Sequence, residues 1–548
     1  MSATPNTQNP APARTSSDAL EPEIFRYSVA SIGEELEINI TRTAYSPLVY
    51  ECKDYSVGFL TRDFRLFAQS QASIPIFVSV LGRPVRDAVE IIGEENLDPG
   101  DVLVTNFSDV TGEHINNTIL ASPLYDAEGL VGYVAILVHW ADLGGMVPGG
   151  ISYASRSVFH EGTRYRGLRV MRRGEIVPEV LATIQANTWQ KEALTGDLMS
   201  QVAACKLATL RWTERIASRW TPRQVRELIE NSLLASAAYA RRQVAAFPDG
   251  AYEATKPWTF QADGITVDLT STMRLTIAGD RVTVDLSGLP PQTVLPINCG
   301  ADGGGAASIR VAFKLLFGPD WPVDDGFFEP LDVVIPDGTI ASAGPNAPIC
   351  QWNAMVPLLI DLFLHAIGQQ HPDLVPASHF ASQAAAGILG QHPDGTRWMA
   401  HAGDFSGGLG ADRHADGFGP VKNLMFGDFP SVPIEMIEKT APVVVHSFRL
   451  RRDSGGAGLH RGGPGVERVT ELLADAGYIN LGEQTHPAQG LADGQPGELG
   501  GVHILPAGET EWQSPPERDS DKRLSAGSLL RFRSGGGGGW GAPPAAAG

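Results

Sequence analysis

Cysteine is scarce. The chain has four in 548 residues, Cys52, Cys205, Cys299 and Cys350, far apart and with no CxxC pair. That spacing excludes a disulfide framework and a zinc finger, and it leads to the expectation of a reducing, cytoplasmic compartment. No apolar run reaches the roughly 18 residues that a membrane-crossing helix needs. Nucleotide signatures are absent: there is no GxxxxGK[ST] loop. The nearest glycine-rich stretch, GADGGG at residues 300–305, lacks GxGxxG spacing and reads as a turn. No GxSxG elbow supplies a hydrolase serine. Asp453-Ser454-Gly455-Gly456 looks like a protease nucleophile loop, but no histidine stands in the early loop that such a fold requires. It reads as a glycine-rich hairpin turn. Positive charge is in deficit, with 42 Lys and Arg against 62 Asp and Glu, a net charge of -20. Phosphate would be repelled, so neither a nucleic acid nor an anionic membrane is expected as a partner.

What is present is length, glycine and alternating hydrophobic pattern. A chain of 548 residues is too long for one compact core, and 61 glycines with 39 prolines imply many turns. The fold class expected is α+β and multidomain, with a mixed N-terminal α/β region, a helical middle and a β-rich C-terminal third. Residues 1–21, rich in Pro, Ala, Thr and Ser, read as a disordered tail. An N-terminal α/β domain is expected over 22–248, a central α+β domain over 249–430, and a β-rich domain with a glycine-rich tail over 431–548. Apolar spacing of three and four residues predicts helices over 22–43, 81–92, 197–217, 221–246, 306–317 and 354–369. A hairpin is expected at 56–60 and 65–68, with strands at 101–105, 119–124, 130–139 and within 250–288. The glycine run 535–539 cannot be helical and reads as a flexible or packed loop.

Chemistry concentrates in residues 101–150. His114 and His139 each stand at the polar end of a strand-like run, and each is followed three residues on by a small polar side chain, Asn117 or Asp142. Two imidazoles brought together could move protons or bind a metal, or could simply cap strand ends by hydrogen bonds. Asp109 and Glu113 could add oxygens; Asn117 is a poor ligand for zinc and a better one for calcium or magnesium. A second polar group is Arg42-Thr43-Ala44-Tyr45-Ser46-Pro47, followed by Glu51, Lys53 and Asp54. Arg42 could grip a carboxylate or phosphate, or offset the dipole at its helix C-terminus. Asp54 could be a base or ligand. Asp197 and Gln201 share one helix face, where a solvated or N-capping role is the simpler reading.

Five blocks in order carry a resemblance. RTAYSP (42–47) with Asp54-Tyr55-Ser56, HWADLGGMVPGG (139–150), Gly196-Asp197-Leu198 with Gln201-Val202-Ala203-Ala204, RRDSGGAGLHRGGPG (451–465) and GGGGGWG (535–541) together resemble the hydantoinase B/oxoprolinase family. The resemblance runs along nearly the whole chain after residue 22. It implies a hydantoinase A-type partner subunit that carries ATP and Mg2+, and a phosphorylated intermediate. The implied reaction is hydrolysis of a cyclic amide (hydantoin, 5-oxoproline or lactam). The alternatives are a subunit of an acetophenone- or acetone-type ketone carboxylase, and a non-catalytic scaffold subunit. The candidate catalytic groups are then His114, His139, Asp54 and Asp142, and the candidate substrate-binding groups Arg42, Tyr45 and Glu113. The family's metal set would fall on His114, Asn117 and His139. Here Asn117 stands where the family has a metal-binding Asp, and Trp140 where it has a second His. Losing the one carboxylate removes charge compensation, so a weakened or absent transition metal is expected.

Overall fold

A computed structural model describes residues 20–71, 73–78, 80–395, 397–403, 405–427, 429–480, 486–514 and 522–544. The expected tail lies outside the described residues up to residue 19. The first helix, Glu21–Thr43, buries Phe25, Val29, Ile32, Leu36 and Ile40, the three-and-four spacing read in the sequence. It packs on the helix Lys191–Arg211, which in turn covers two strands of the main sheet.

That sheet is antiparallel and seven-stranded. Its strands are β1 (Tyr55–Thr61), β2 (Leu66–Gln69), β3 (Val102–Thr105), β4 (Asn117–Asp126), β5 (Gly129–His139), β6 (Leu168–Arg172) and β7 (Glu175–Ile176), in the order β2-β1-β5-β4-β3-β6-β7. Every residue of β1 is buried, as is the C-terminal half of β5, because the sheet is covered on both faces. The register places Asn117 opposite His139 and Tyr55 opposite Val138. Three neighbouring strands therefore bring Asp54, His139 and Asn117 to one end of the sheet.

A second sheet holds β8 (Gly250–Ala262), β9 (Ile265–Ala278), β10 (Arg281–Gly288) and β11 (Leu331–Val334) in the order β11-β10-β9-β8. The apolar helix Val356–Gly368 packs against it and is almost wholly buried. In a third sheet, β12 (Ala386–Gln391) lies between β13 (Arg397–His401) and the strand Ala476–Asn480. A fourth is built from Val443–Arg451, Gly465–Leu472, Leu529–Arg533 and Gly501–Leu505. The larger apolar cluster gathers residues from Phe25 to Leu491, and a smaller one gathers residues from Phe380 to Phe532.

Two local readings are corrected, and a third is borne out. The helix expected from residue 197 begins six residues earlier and ends in a π-helical turn, Trp212–Ala217. Residues 300–305 are not a simple turn: Ala301–Ala306 is a π-helical turn leading into the helix Ala307–Phe317. Glycine is needed there because the Gly112 backbone presses on it. The Gly300 N–H donates to the Gly112 carbonyl at 2.9 Å, and a Cβ on Gly303 would lie 2.2 Å from the Thr111 oxygen. The 453–456 loop holds no nucleophile. Ser454 is buried, its hydroxyl donating to the Arg451 carbonyl (2.6 Å) and accepting from the Gly465 N–H (2.9 Å).

Candidate active site

The strand ends open into a cavity of about 980 Å³, mouth included, lined by Asp54, His114 and His139 from the first sheet. Lys53 adopts a positive φ of 57°, which turns the chain just ahead of Asp54. The His139 N–H then donates to the Asp54 carbonyl at 3.0 Å, tying the two strand ends together. The His114 and His139 rings stand edge to face, 4.8 Å apart, and Trp352 flanks His114 at 5.9 Å.

The hydrogen bonds around His114 define its role. Its Nε2 lies 2.9 Å from Asn117 Oδ1 and its Nδ1 lies 3.4 Å from the Cys350 carbonyl. A ring could donate to both only as an imidazolium. Burial opposes that and pushes its pKa down to about 4. The neutral ring donates to the nearer acceptor, Asn117, and Asn117 Nδ2 donates onward to Glu113 Oε2 at 2.8 Å. Burial holds His139 well below the usual histidine range, with His114 adding to the effect. It pushes the Asp54 carboxyl up to about 7 and holds Glu113 well above the usual carboxylate range. Among the buried polar atoms of the lining, His139 Nδ1, Asp54 Oδ1, Gln351 Nε2 and Trp352 Nε1 have no hydrogen-bond partner.

This donor set does not fit a transition metal. The Asn117 oxygen brings no charge and is already bonded to His114. Among the described residues no three His, Cys, Asp or Glu side chains are grouped to hold an ion. Nor does the lining fit a nucleotide triphosphate, since among the described residues it contains no Lys or Arg.

The remaining residues proposed from sequence lie elsewhere. Asp142 is buried behind the 142–150 turn. Its carboxylate accepts from the N–H groups of Gly144 (3.1 Å), Gly149 (2.7 Å) and Trp189 (2.6 Å) and from the Thr188 hydroxyl (2.9 Å). It shapes the loop that carries Pro148 and Gly149 to the cavity and does not itself line it. Glu113 sits behind Asn117, outside the lining. Arg42 and Tyr45 are exposed and also outside it, with Tyr45 packed on Gly196. Trp140 faces the core, where its Nε1 donates to Gln201 Oε1 at 2.9 Å. Gln201 Nε2 donates to the carbonyls of Thr118 and Ile136, at 3.0 and 2.8 Å. The helix face of Asp197 and Gln201 is thus a buried brace, neither solvated nor capping.

Asp197 Oδ1 accepts from the N–H groups of Tyr45 (2.8 Å) and Ser46 (3.0 Å), yet burial outweighs these bonds and pushes its pKa up to about 6. A raised folded pKa means that the native state binds its proton more tightly than the unfolded chain. Stability from this group falls as pH rises from about 3.8 to about 6. Asp197→Asn is expected to flatten that part of the Tm–pH curve, which thermal melts across the range will show.

Sequence reading did not find the opposite wall. Gln351, Trp352 and Asn353 precede the buried helix, Gln383, Met399 and His401 come from the third sheet and its approach, and Phe405, Phe426 and Phe429 form a mutually packed aromatic group. The polar CQWN run at 350–353, just ahead of a strongly apolar helix, was the one available signal.

Comparison with known proteins agrees with this architecture. The caprolactamase subunit beta of Pseudomonas jessenii is 27% identical over 469 residues, 84% of this chain and 79% of that protein. The crystal structure of the ATP-dependent caprolactamase from Pseudomonas jessenii superposes with a TM-score of 0.87 at 23% identity, covering 97% of this chain and 93% of that one. A nucleotide-free acetone carboxylase structure shares the fold at TM-score 0.84 and 15% identity, over 95% of this chain and 76% of that one. Residues 18–543 match the sequence profile described as hydantoinase B/oxoprolinase. With that match spanning nearly the whole sequence, the chain belongs to the hydantoinase B/oxoprolinase family.

Proposed function

We propose that this chain is the B-type subunit of a cytoplasmic, ATP-dependent complex that hydrolyses cyclic amides, working with a hydantoinase A-type subunit that holds ATP and Mg2+. The observation that carries this reading is the set of unpartnered atoms in the cavity. Gln351 Nε2 is a donor, while Asp54 Oδ1 and His139 Nδ1 face the same space without partners. Buried polar groups are rarely left unmatched. A cyclic amide, with one C=O acceptor and one N–H donor, pairs with such a set. A ketone offers an acceptor alone, so ATP-dependent ketone carboxylation in the same cavity is the second reading.

ATP supplies the activation, by phosphorylating the amide oxygen so that the ring carbon accepts a nucleophile. This chain's residues then act on water and on the ring. His139, neutral because it is buried, accepts a proton from water as the new C–O bond forms, and Asp54 can return that proton to the ring nitrogen as the C–N bond breaks. The acyl phosphate left behind is hydrolysed by a second water to the ring-opened carboxylate and inorganic phosphate. His114, tethered through Asn117 to Glu113, positions the His139 ring. The test is ATP turnover by the chain reconstituted with its A-type partner. Stimulation by a lactam or hydantoin, with ring-opened product in proportion, is expected. Stimulation only by ketone plus bicarbonate would replace this reading with the second. ATP turnover indifferent to all of them would leave a non-catalytic scaffold.

A further inference from the structure

We infer that the cavity selects an uncharged substrate with an apolar flank and rejects one carrying a carboxylate, an inference that rests on the cyclic-amide or ketone reading above. Two observations carry it. First, among the described residues the lining contains no Lys or Arg, and its one carboxylate, Asp54, would oppose a second. Second, the opposite wall carries a continuous apolar stretch beside its polar residues. Phe405, Phe426 and Phe429 pack with ring centroids 5.0 to 5.8 Å apart, and Leu389, Met399 and Met425 continue the surface.

Two cations come close without lining the cavity. Lys422 and Arg468 line a neighbouring pocket that shares His401, Phe405 and Phe429 with this one. Lys422 Nζ donates to Ser431 Oγ at 2.8 Å and sits 5.7 Å from the centre of the Phe429 ring. Arg468 is buried, donates to the His401 carbonyl at 3.1 Å and lies over Phe448. Phe405 and Phe429 line both pockets, whereas Lys422 and Arg468 line only the neighbouring one. Arg42, the cation that the sequence offered as a carboxylate grip, is exposed at the end of its helix and lines neither pocket. A carboxylate entering the cavity would lose water and gain no counter-charge, whereas an alkyl or aryl flank would lose only unfavourable contact with water.

A matched pair tests this: 5-oxoproline against 5-oxoprolinamide, which differ only in carboxylate versus carboxamide. Both are assayed for ATP-coupled ring opening by the chain with its A-type partner, and for binding to the full chain by calorimetry. The carboxamide is expected to be preferred in kcat/KM by roughly 100-fold. Met399→Arg, which places a cation at a half-open position of the wall, is expected to narrow that gap by roughly tenfold. Equal or better turnover of 5-oxoproline by the unaltered complex would overturn the inference. Failure of the underlying reading has a different signature. There, neither compound, nor caprolactam, nor acetone with bicarbonate, binds the chain or raises ATP turnover, and both readings fall together.

Discussion

Replacing His139 with alanine is expected to lower ATP-coupled ring opening by about a thousandfold while leaving Tm almost unchanged. The separation of the two effects follows from the hydrogen bonds. His139 Nδ1 has no partner inside the protein, and the bond that joins the strand end to Asp54 uses the His139 main-chain N–H, which alanine keeps. No buried group is orphaned by the substitution, so little stability is lost. His114→Ala should behave differently. It strands Asn117 Oδ1 and loosens the link to Glu113, so activity and stability both fall, the latter by about 2 kcal/mol. Single-turnover assays with the partner subunit, together with urea unfolding of each variant, distinguish the two. Full activity in His139→Ala would remove that residue from the reaction. A large loss of stability in the same variant would mean that its ring is structural.

Gly537→Ala is expected to cost about 3 kcal/mol or more, and to reduce the yield of folded protein. Residues 535–539 are not a flexible end: they thread between three other glycine-bearing segments. The N–H groups of Gly536, Gly537, Gly538 and Gly539 donate to the carbonyls of Glu498, Gly463, Ser378 and Gln495, at 3.0, 3.0, 2.8 and 2.9 Å. Gly408, Gly456, Ala411 and Leu491 donate back to the carbonyls of the run. Backbones this close leave no room for a side chain. A Cβ on Gly537 would lie 1.9 Å from the Leu409 oxygen and 2.2 Å from its carbonyl carbon, and both are main chain, which cannot rotate away. The segment it would displace, 377–411, also carries Gln383, β12 and β13 to the cavity, so activity should fall along with stability. Chemical denaturation of Gly537→Ala beside Gly501→Ala, where a Cβ would meet only His503 Nε2, at 3.6 Å, and the backbone is not left-handed, separates crowding from the general effect of adding a methyl group.

Much of the first sheet was legible because its signals are local. The periodic apolar stripe over 22–43 and the buried runs at 102–105 and 130–139 folded close to where their patterns placed them. The two histidines were legible for the same reason, each closing a strand-like run. Two kinds of residue misled. Asp197 looked like a cap because aspartate usually is one, but tertiary packing buried it as an acceptor for the Tyr45–Ser46 backbone. Asp142 looked catalytic because it follows His139 by three residues. Beyond the strand end the chain turns, and that spacing no longer fixes a shared direction.

By itself the sequence determined the family, the mixed α+β character and the placing of His114 and His139 at the ends of strand-like runs, because each is a property of residue type and order. Only the tertiary structure decided which of the proposed side chains meet. It gathered Asp54 and both histidines at one sheet end and sent Asp142, Arg42 and Tyr45 elsewhere. It then closed the cavity with Gln351, Trp352, His401 and the Phe405 group, from more than 200 positions further along the chain. The physical reason is that such a wall is made by contacts between separately folded segments, with glycine backbones packed closely enough to hold them. No local pattern of hydrophobicity encodes which distant surface a segment will meet.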